Sequence, residues 1–178
     1  MARLGKRPIK LENDVTVSID GQKISVKGPK GTLQVQIGDQ FEIKQDEGAL
    51  TVIPRSSSKE LSPDHGLYRT LLLNAIEGVS KGYQKDLELV GVGYRVQKKG
   101  NGLSFTLGYS HPVVVPETEG ISFNVSGQNK ISIVGIDKQK VGQVTANIRR
   151  LRKLDKYKGK GILFAGQRVK LKAGKSVK

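Results

Sequence analysis

The sequence predicts an α+β protein built as two tandem copies of a small, mostly antiparallel sheet, each copy covered on one face by a helix. Three observations carry that expectation. Short runs in the first half alternate apolar and polar residues, the pattern of strands with one buried and one solvated face. A stripe of apolar residues at helical spacing follows these runs. The second half then repeats the same order of elements.

In the first copy, Val15-Thr-Val-Ser-Ile19 alternates, Asp20-Gly21 supplies a tight-turn signal, and Lys23-Ile-Ser-Val26 resumes the alternation. Gly28-Pro-Lys-Gly31 is a second turn, and Leu33-Gln-Val-Gln-Ile37 is a third strand, closed by Gly38-Asp39. Phe41-Glu-Ile43 and Leu50-Thr-Val-Ile53 flank a turn at Asp46-Glu-Gly48. The covering helix starts at Ser62-Pro63-Asp64, a hydroxyl cap followed by proline at a position where no N–H is needed. Leu67, Tyr68, Leu71, Leu72, Ala75, Ile76 and Val79 form its apolar stripe, with Gly78 and Gly82 as stop signals.

In the second copy, residues 87–96, 103–107, 113–115, 121–125 and 131–134 read as strands. Asp137 caps a helix whose apolar face is Val141, Val144, Ile148 and Leu151. Residues 41–53 align with 121–134, and Gly66 with Gly142, if the second copy has one extra residue in its turn and the first has the extra loop 55–59 before its helix. Identity between the copies is low, so order and spacing carry the duplication. The boundary falls at residues 81–84, giving an N-terminal domain 1–81 and a C-terminal domain 82–178.

The charge is unevenly placed. The 178 residues carry a formal net charge of +15. Residues 1–81 hold 12 Lys/Arg against 10 acids, and residues 82–137 hold five of each. Residues 138–178 hold 14 Lys/Arg against one acid, Asp155. Charge of that density opposes compaction unless an anionic partner neutralises it, and a phosphate backbone does so with release of counterions. A plain solubilising basic tail is the alternative reading. Basic residues in a helix's last turn also complement its dipole, but one or two suffice for that, and Arg149, Arg150, Arg152 and Lys153 put four in five positions.

Several classes are excluded. There is no cysteine, hence no disulfide, thiolate-bound metal or cysteine nucleophile. The longest purely aliphatic runs span three residues, 71–73 and 113–115, far short of a membrane span. The basic start, Met1 to Pro8, has no apolar stretch behind it, unlike a secretory signal. The expectation is a soluble, intracellular, basic protein. Its two histidines, His65 and His111, have no third partner. His65 reads as a helix-start residue among polar neighbours, and Ser110 and His111 as neighbours on opposite faces of a strand, unable to act together. A P-loop is absent, and Gly91-Val-Gly93 lacks the third glycine and the helix of a dinucleotide fingerprint. Its glycines fit a bulge or a close backbone contact instead. No enzyme, cofactor, metal or small-molecule substrate is expected.

The most distinctive stretch is Lys156-Tyr-Lys-Gly-Lys-Gly161. Glycines let the backbone approach a partner while the ammonium groups reach outward, and Tyr157 can stack on a base or sugar. A basic loop with its Tyr anchored in the core is the other reading.

With these residues in view, the chain resembles the bacterial-type large-subunit ribosomal protein L6 family. The likeness runs from Arg3-Leu-Gly-Lys-Arg-Pro-Ile9 through Leu87-Glu-Leu-Val-Gly-Val-Gly-Tyr-Arg95 and Leu107-Gly-Tyr-Ser-His-Pro-Val113. It continues in Gly135-Ile-Asp-Lys-Gln-Lys-Val-Gly-Gln143 and Tyr157-Lys-Gly-Lys-Gly-Ile162, and ends at Lys172-Ala-Gly-Lys175. The resemblance implies two tandem sheet-plus-helix domains, binding to 23S-type ribosomal RNA, and a place near the base of the acidic stalk and the factor-binding region. It carries RNA contact onto positions 157–162. The family usually has prolines on either side of an acid where this chain has Leu154-Asp155-Lys156, and often Arg-Tyr where it has Leu163-Phe164. Lys156 and Arg168 are expected to supply replacement charge.

The expected function is that of a structural constituent of the large ribosomal subunit, a ribonucleoprotein component of translation. Its partners would be 23S-type rRNA and neighbouring large-subunit proteins, without a membrane. Its location would be the large subunit of a cytoplasmic ribosome, with an organelle ribosome as the alternative. The expected RNA contacts are Lys138, Lys140, Arg149, Arg150, Arg152, Lys153, Lys156, Tyr157, Lys158, Gly159, Lys160, Gly161, Arg168, Lys170, Lys172 and Lys175. A non-ribosomal basic nucleic-acid chaperone is the rival, and it predicts sequence-indifferent binding without co-sedimentation with ribosomes.

Overall fold

Each alternating run becomes a strand in the computed structural model, which describes residues 5–12, 14–46, 48–55 and 62–174. The basic start before Gly5, loop residues 56–59, the Ser62 hydroxyl and Lys175 lie outside the described residues. The chain divides into two compact units, one comprising Met1–Gly82 with Ile136–Lys138, the other Tyr83–Gly135 with Gln139–Lys178.

The first unit contains β1 (Ile9–Lys10), β2 (Thr16–Asp20), β3 (Lys23–Gly28), β4 (Gly31–Gln36), β5 (Phe41–Asp46), β6 (Ala49–Pro54) and α1 (Ser62–Ser80). All its pairings are antiparallel. The strands divide between two three-stranded sheets, in the orders β1-β6-β5 and β2-β3-β4, whereas alternation alone pointed to one. Alternation tells which face is buried, not which strands pair. Here a turn between β4 and β5, closed by Phe41 N–H donating to the Gly38 carbonyl at 3.0 Å, separates the sheets.

Helix α1 packs against β3, β4 and β6. Its Leu72, Ala75, Ile76 and Val79 join Ile24, Val26, Leu50 and Val52 in one core. Leu67, expected in the stripe, is exposed. His65 holds the buried face instead: it lies seven residues, about two turns, before Leu72, whereas Leu67 is about 140° away around the helix. Gly78 is helical and buried, not a stop. The stop is Gly82, at φ 76°, where the N–H groups of Lys81 and Gly82 both donate to the Glu77 carbonyl, the six-to-one closure typical of a helix end.

The second unit contains β7 (Tyr83–Val90), β8 (Arg95–Lys99), β9 (Gly102–Thr106), β10 (Val113–Val115), β11 (Ile121–Ser126), β12 (Lys130–Gly135), α2 (Lys138–Leu151) and β13 (Gly161–Phe164). The run expected as one strand over 87–96 is broken between β7 and β8. Gly93 takes φ 78°, and Tyr94 N–H donates to the Gly91 carbonyl at 3.2 Å.

The duplication is visible in the pairing order. β5-β6-β1 in the first unit matches β11-β12-β7 in the second, and β2-β3-β4 matches β8-β9-β10. Among the described residues one element has no counterpart. After α2 the chain turns back and adds β13 to the edge of β7, with Gly161 opposite Val90 and Phe164 opposite Leu87. Ile162 and Leu163 are buried there. The basic loop is the connection that this extra strand requires.

Candidate nucleic-acid interface

Helix α2 buries Val141, Val144, Thr145 and Ile148, so its other faces carry the polar residues. At its end the basic residues fan out. Arg150 is exposed. Arg149 lies with its guanidinium 4.4 Å from the centre of the Phe164 ring, and its Nε is buried without a hydrogen-bond partner among the described residues. Packing on β13, rather than full exposure, is what the structure gives Arg149.

Arg152 is clamped. Its Nε donates to the Tyr94 hydroxyl at 3.0 Å, and its guanidinium lies 4.9 Å from the centre of the Tyr109 ring, a cation–π distance. Tyr109 in turn donates its hydroxyl to the Leu151 carbonyl at 2.9 Å. The oxygens of Tyr109 and then Tyr94 push Arg152 further above its ordinary range, so it stays charged at every working pH.

The loop 155–160 is built on Asp155. Its carboxylate accepts from the N–H of Tyr157 at 3.0 Å and of Lys158 at 3.2 Å. Its own N–H donates to the Lys160 carbonyl at 2.8 Å, and its carbonyl accepts from Gly159 N–H at 3.0 Å. Gly159 sits at φ 70°. Gly161 has no room for a side chain: a Cβ would fall 2.8 Å from Leu154 Cα and 2.9 Å from the Lys153 carbonyl oxygen. The side chains of Lys156, Tyr157, Lys158 and Lys160 all remain exposed, so Tyr157 is not a core anchor.

These groups enclose an open basin of about 620 Å³, lined by Tyr94, Tyr109, Arg150, Leu151, Arg152, Lys153, Asp155, Lys158 and Lys160. A smaller hollow of about 250 Å³ adjoins Ala146, Arg149, Arg150, Lys153, Leu154 and Ile162. Arg150 and Lys153 border both. Five cations around one concavity, with two phenol rings in it, form a surface suited to a phosphate backbone with room for stacking.

Not every expected contact is gathered there. Lys138 and Lys140 lie in the first turn of α2, with Lys138 roughly 18 Å along the helix from Arg150. Arg168, Lys170 and Lys172 are exposed on the segment after β13. That segment is tied to the loop by Lys172 N–H donating to the Lys156 carbonyl at 2.9 Å. Sequence reasoning missed Tyr94, Tyr109 and Asp155 as parts of the site. The signal for Asp155 was its type and place, an acid two and three residues before N–H groups it can bind. The tyrosines carried only a weak one, each next to or one residue from a glycine in a turn.

The two histidines also differ from expectation. His65 is buried, stacked on Phe41 at 6.0 Å, with Nε2 2.8 Å from the Val52 carbonyl oxygen. It is a packing residue. Ser110 and His111 lie in a bend rather than a strand, so opposite strand faces do not separate them. The Ser110 hydroxyl comes within 3.4 Å of His111 Nδ1, a long contact between exposed residues. Among the described residues no group of three or more His, Cys, Asp or Glu is placed to hold a metal ion, and no helix is long and apolar enough to cross a membrane.

A family model described as Ribosomal protein L6 matches residues 13–82 and 90–165. The two segments follow the two copies of the fold, and the second contains α2, the loop and β13. Proteins of this family are non-enzymatic structural constituents of the large ribosomal subunit, with ribosomal RNA and ribosomal proteins as partners. A match over most of its length, in both copies, makes this chain a member of the ribosomal protein L6 family.

Proposed function

We propose that the chain binds 23S-type rRNA through its C-terminal domain, residues 82–178, while residues 1–81 serve mainly as scaffold and protein contact. The observation that carries this reading is the basin at the end of α2, where Arg150, Arg152, Lys153, Lys158 and Lys160 converge. The place on the subunit is the one the resemblance implies, near the base of the acidic stalk and the factor-binding region, in a cytoplasmic or organelle ribosome. The exposed Lys156, Tyr157, Arg168, Lys170 and Lys172 extend the surface beyond the basin.

The test is affinity for deproteinised large-subunit rRNA over a salt series. Replacing Lys156, Lys158 and Lys160 together by Ala leaves the fold intact, since exposed lysines contribute little to stability. It weakens binding and flattens the log–log salt dependence by roughly 2–3, about 0.7–0.9 for each phosphate no longer neutralised. Gly159→Val keeps the charge but strains the backbone at φ 70°, so affinity falls while the slope is nearly kept. An unchanged slope in the triple variant would remove these lysines from the interface. Co-sedimentation of the chain with large subunits separates a ribosomal role from that of a free nucleic-acid chaperone.

A further inference from the structure

We infer that Asp155 is a positioning residue for RNA: it holds the loop 155–160 in its binding shape before RNA arrives, so that an acid strengthens binding to a polyanion. The inference rests on the RNA-binding reading above. Asp155 is the only acid among residues 138–178 and faces the basin beside Lys158 and Lys160. A bare charge there repels phosphate, and electrostatics alone makes its removal favourable. Yet all four of its polar groups are engaged within the loop. The two carboxylate oxygens take the N–H groups of Tyr157 and Lys158, the backbone N–H reaches Lys160, and the carbonyl takes Gly159 N–H.

Those four bonds hold the backbone of the loop between residues 155 and 160, from which the exposed Lys156, Tyr157, Lys158 and Lys160 project. The carboxylate bonds are the two that depend on residue type, since any residue at 155 keeps the backbone pair. Without them the loop samples other shapes in the free protein, and binding then has to order it. Lys172 N–H on the Lys156 carbonyl and Leu171 against Gly159 fasten the outer side of the loop. They leave the Tyr157 and Lys158 amides to Asp155.

The experiment compares wild type, Asp155→Ala and Asp155→Asn for affinity to deproteinised large-subunit rRNA over a salt series, with amide hydrogen exchange on the free wild-type protein. Asn loses the charge but keeps one carbonyl acceptor for the loop. The expected order is Asp155→Ala weaker than wild type by about tenfold and Asp155→Asn at or above wild type. The loss in Asp155→Ala is smallest at low salt, where removing the charge also relieves repulsion. It grows to its full size at high salt, because salt screens the repulsion but not the ordering cost. The Tyr157 and Lys158 amides of the free protein are protected. Asp155→Ala binding as tightly as wild type, or more tightly, overturns the positioning role while wild-type binding upholds the RNA reading. Wild type failing to bind overturns the RNA reading itself. Unprotected Tyr157 and Lys158 amides overturn the positioning role even if Asp155→Ala does not fold, because that measurement uses wild type alone.

Discussion

At residue 161 one methyl group is enough to disturb the site. Gly161 stands at φ 145°, and an added Cβ would meet backbone atoms of Lys153 and Leu154 below 3.0 Å. Gly161→Ala therefore costs about 2–3 kcal/mol from backbone strain and overpacking. Gly142 provides the opposite sign. It lies exposed inside α2, with nothing within 4 Å of a built Cβ, and Gly142→Ala stabilises by about 1 kcal/mol through helix propensity. Chemical denaturation of both variants checks the pair; equal effects would mean that crowding at Gly161 is relieved elsewhere. Both glycines stand in the sequence with the same letter, and only the neighbours of their missing side chains tell them apart. His65 and Arg149 repeat the lesson. Their polarity was legible, but a ring stacked on Phe41 and a guanidinium laid on Phe164 are made by segments distant in sequence.

Among the elements, those with local signals were legible. Alternation located β3, β4, β5, β6, β11 and β12, and the stripe Val141, Val144, Ile148 located α2. The elements missed or misread are those fixed by non-local pairing: the two-residue β1, the split of the strands into two sheets, and β13, whose Gly-Ile-Leu-Phe is too short to show a period. The long β7 is paired on both edges, by β12 and β13. Its Asp86 gives a pH test. Gln84 donates to that carboxylate at 2.8 Å, and this bond first, then one from Ser132, holds Asp86 below its ordinary value of 3.8. A lowered carboxyl stabilises the folded state above the unfolded value and loses that contribution as pH falls through the folded one. Asp86→Asn should thus lower Tm slightly near neutrality and reduce the further drop in Tm below about pH 4. The effect is small because the group is exposed. A wild-type acid limb identical to the variant's would show that the Gln84 bond has no energetic weight.

The whole molecule is a duplication in which only the second copy has been extended. The first copy ends with α1, whereas the second continues from α2 into the basic loop and β13. That extension holds ten of the 14 Lys/Arg of residues 138–178, four being in α2 itself. It also accounts for why part of the charge converges: β13 returns along β7, and the turn that takes it there brings Lys158 and Lys160 beside Arg150 and Arg152 at the end of α2. Total charge was legible from composition, but convergence was not, because it depends on where the returning strand docks. The distinction is measurable in the intact chain. Lys23, Lys27 and Lys44 are exposed on β3 and β5, and Lys153, Lys158 and Lys160 are exposed around the basin. Changing either trio to Gln removes three charges from +15 and leaves +12. If net charge alone governed association with rRNA, the two variants would behave alike. If contact at the basin governs it, the first trio leaves affinity and salt slope near wild type, and the second flattens the slope by roughly 2–3. Equal slopes for the two variants would return the basic segment to the role of a solubilising tail.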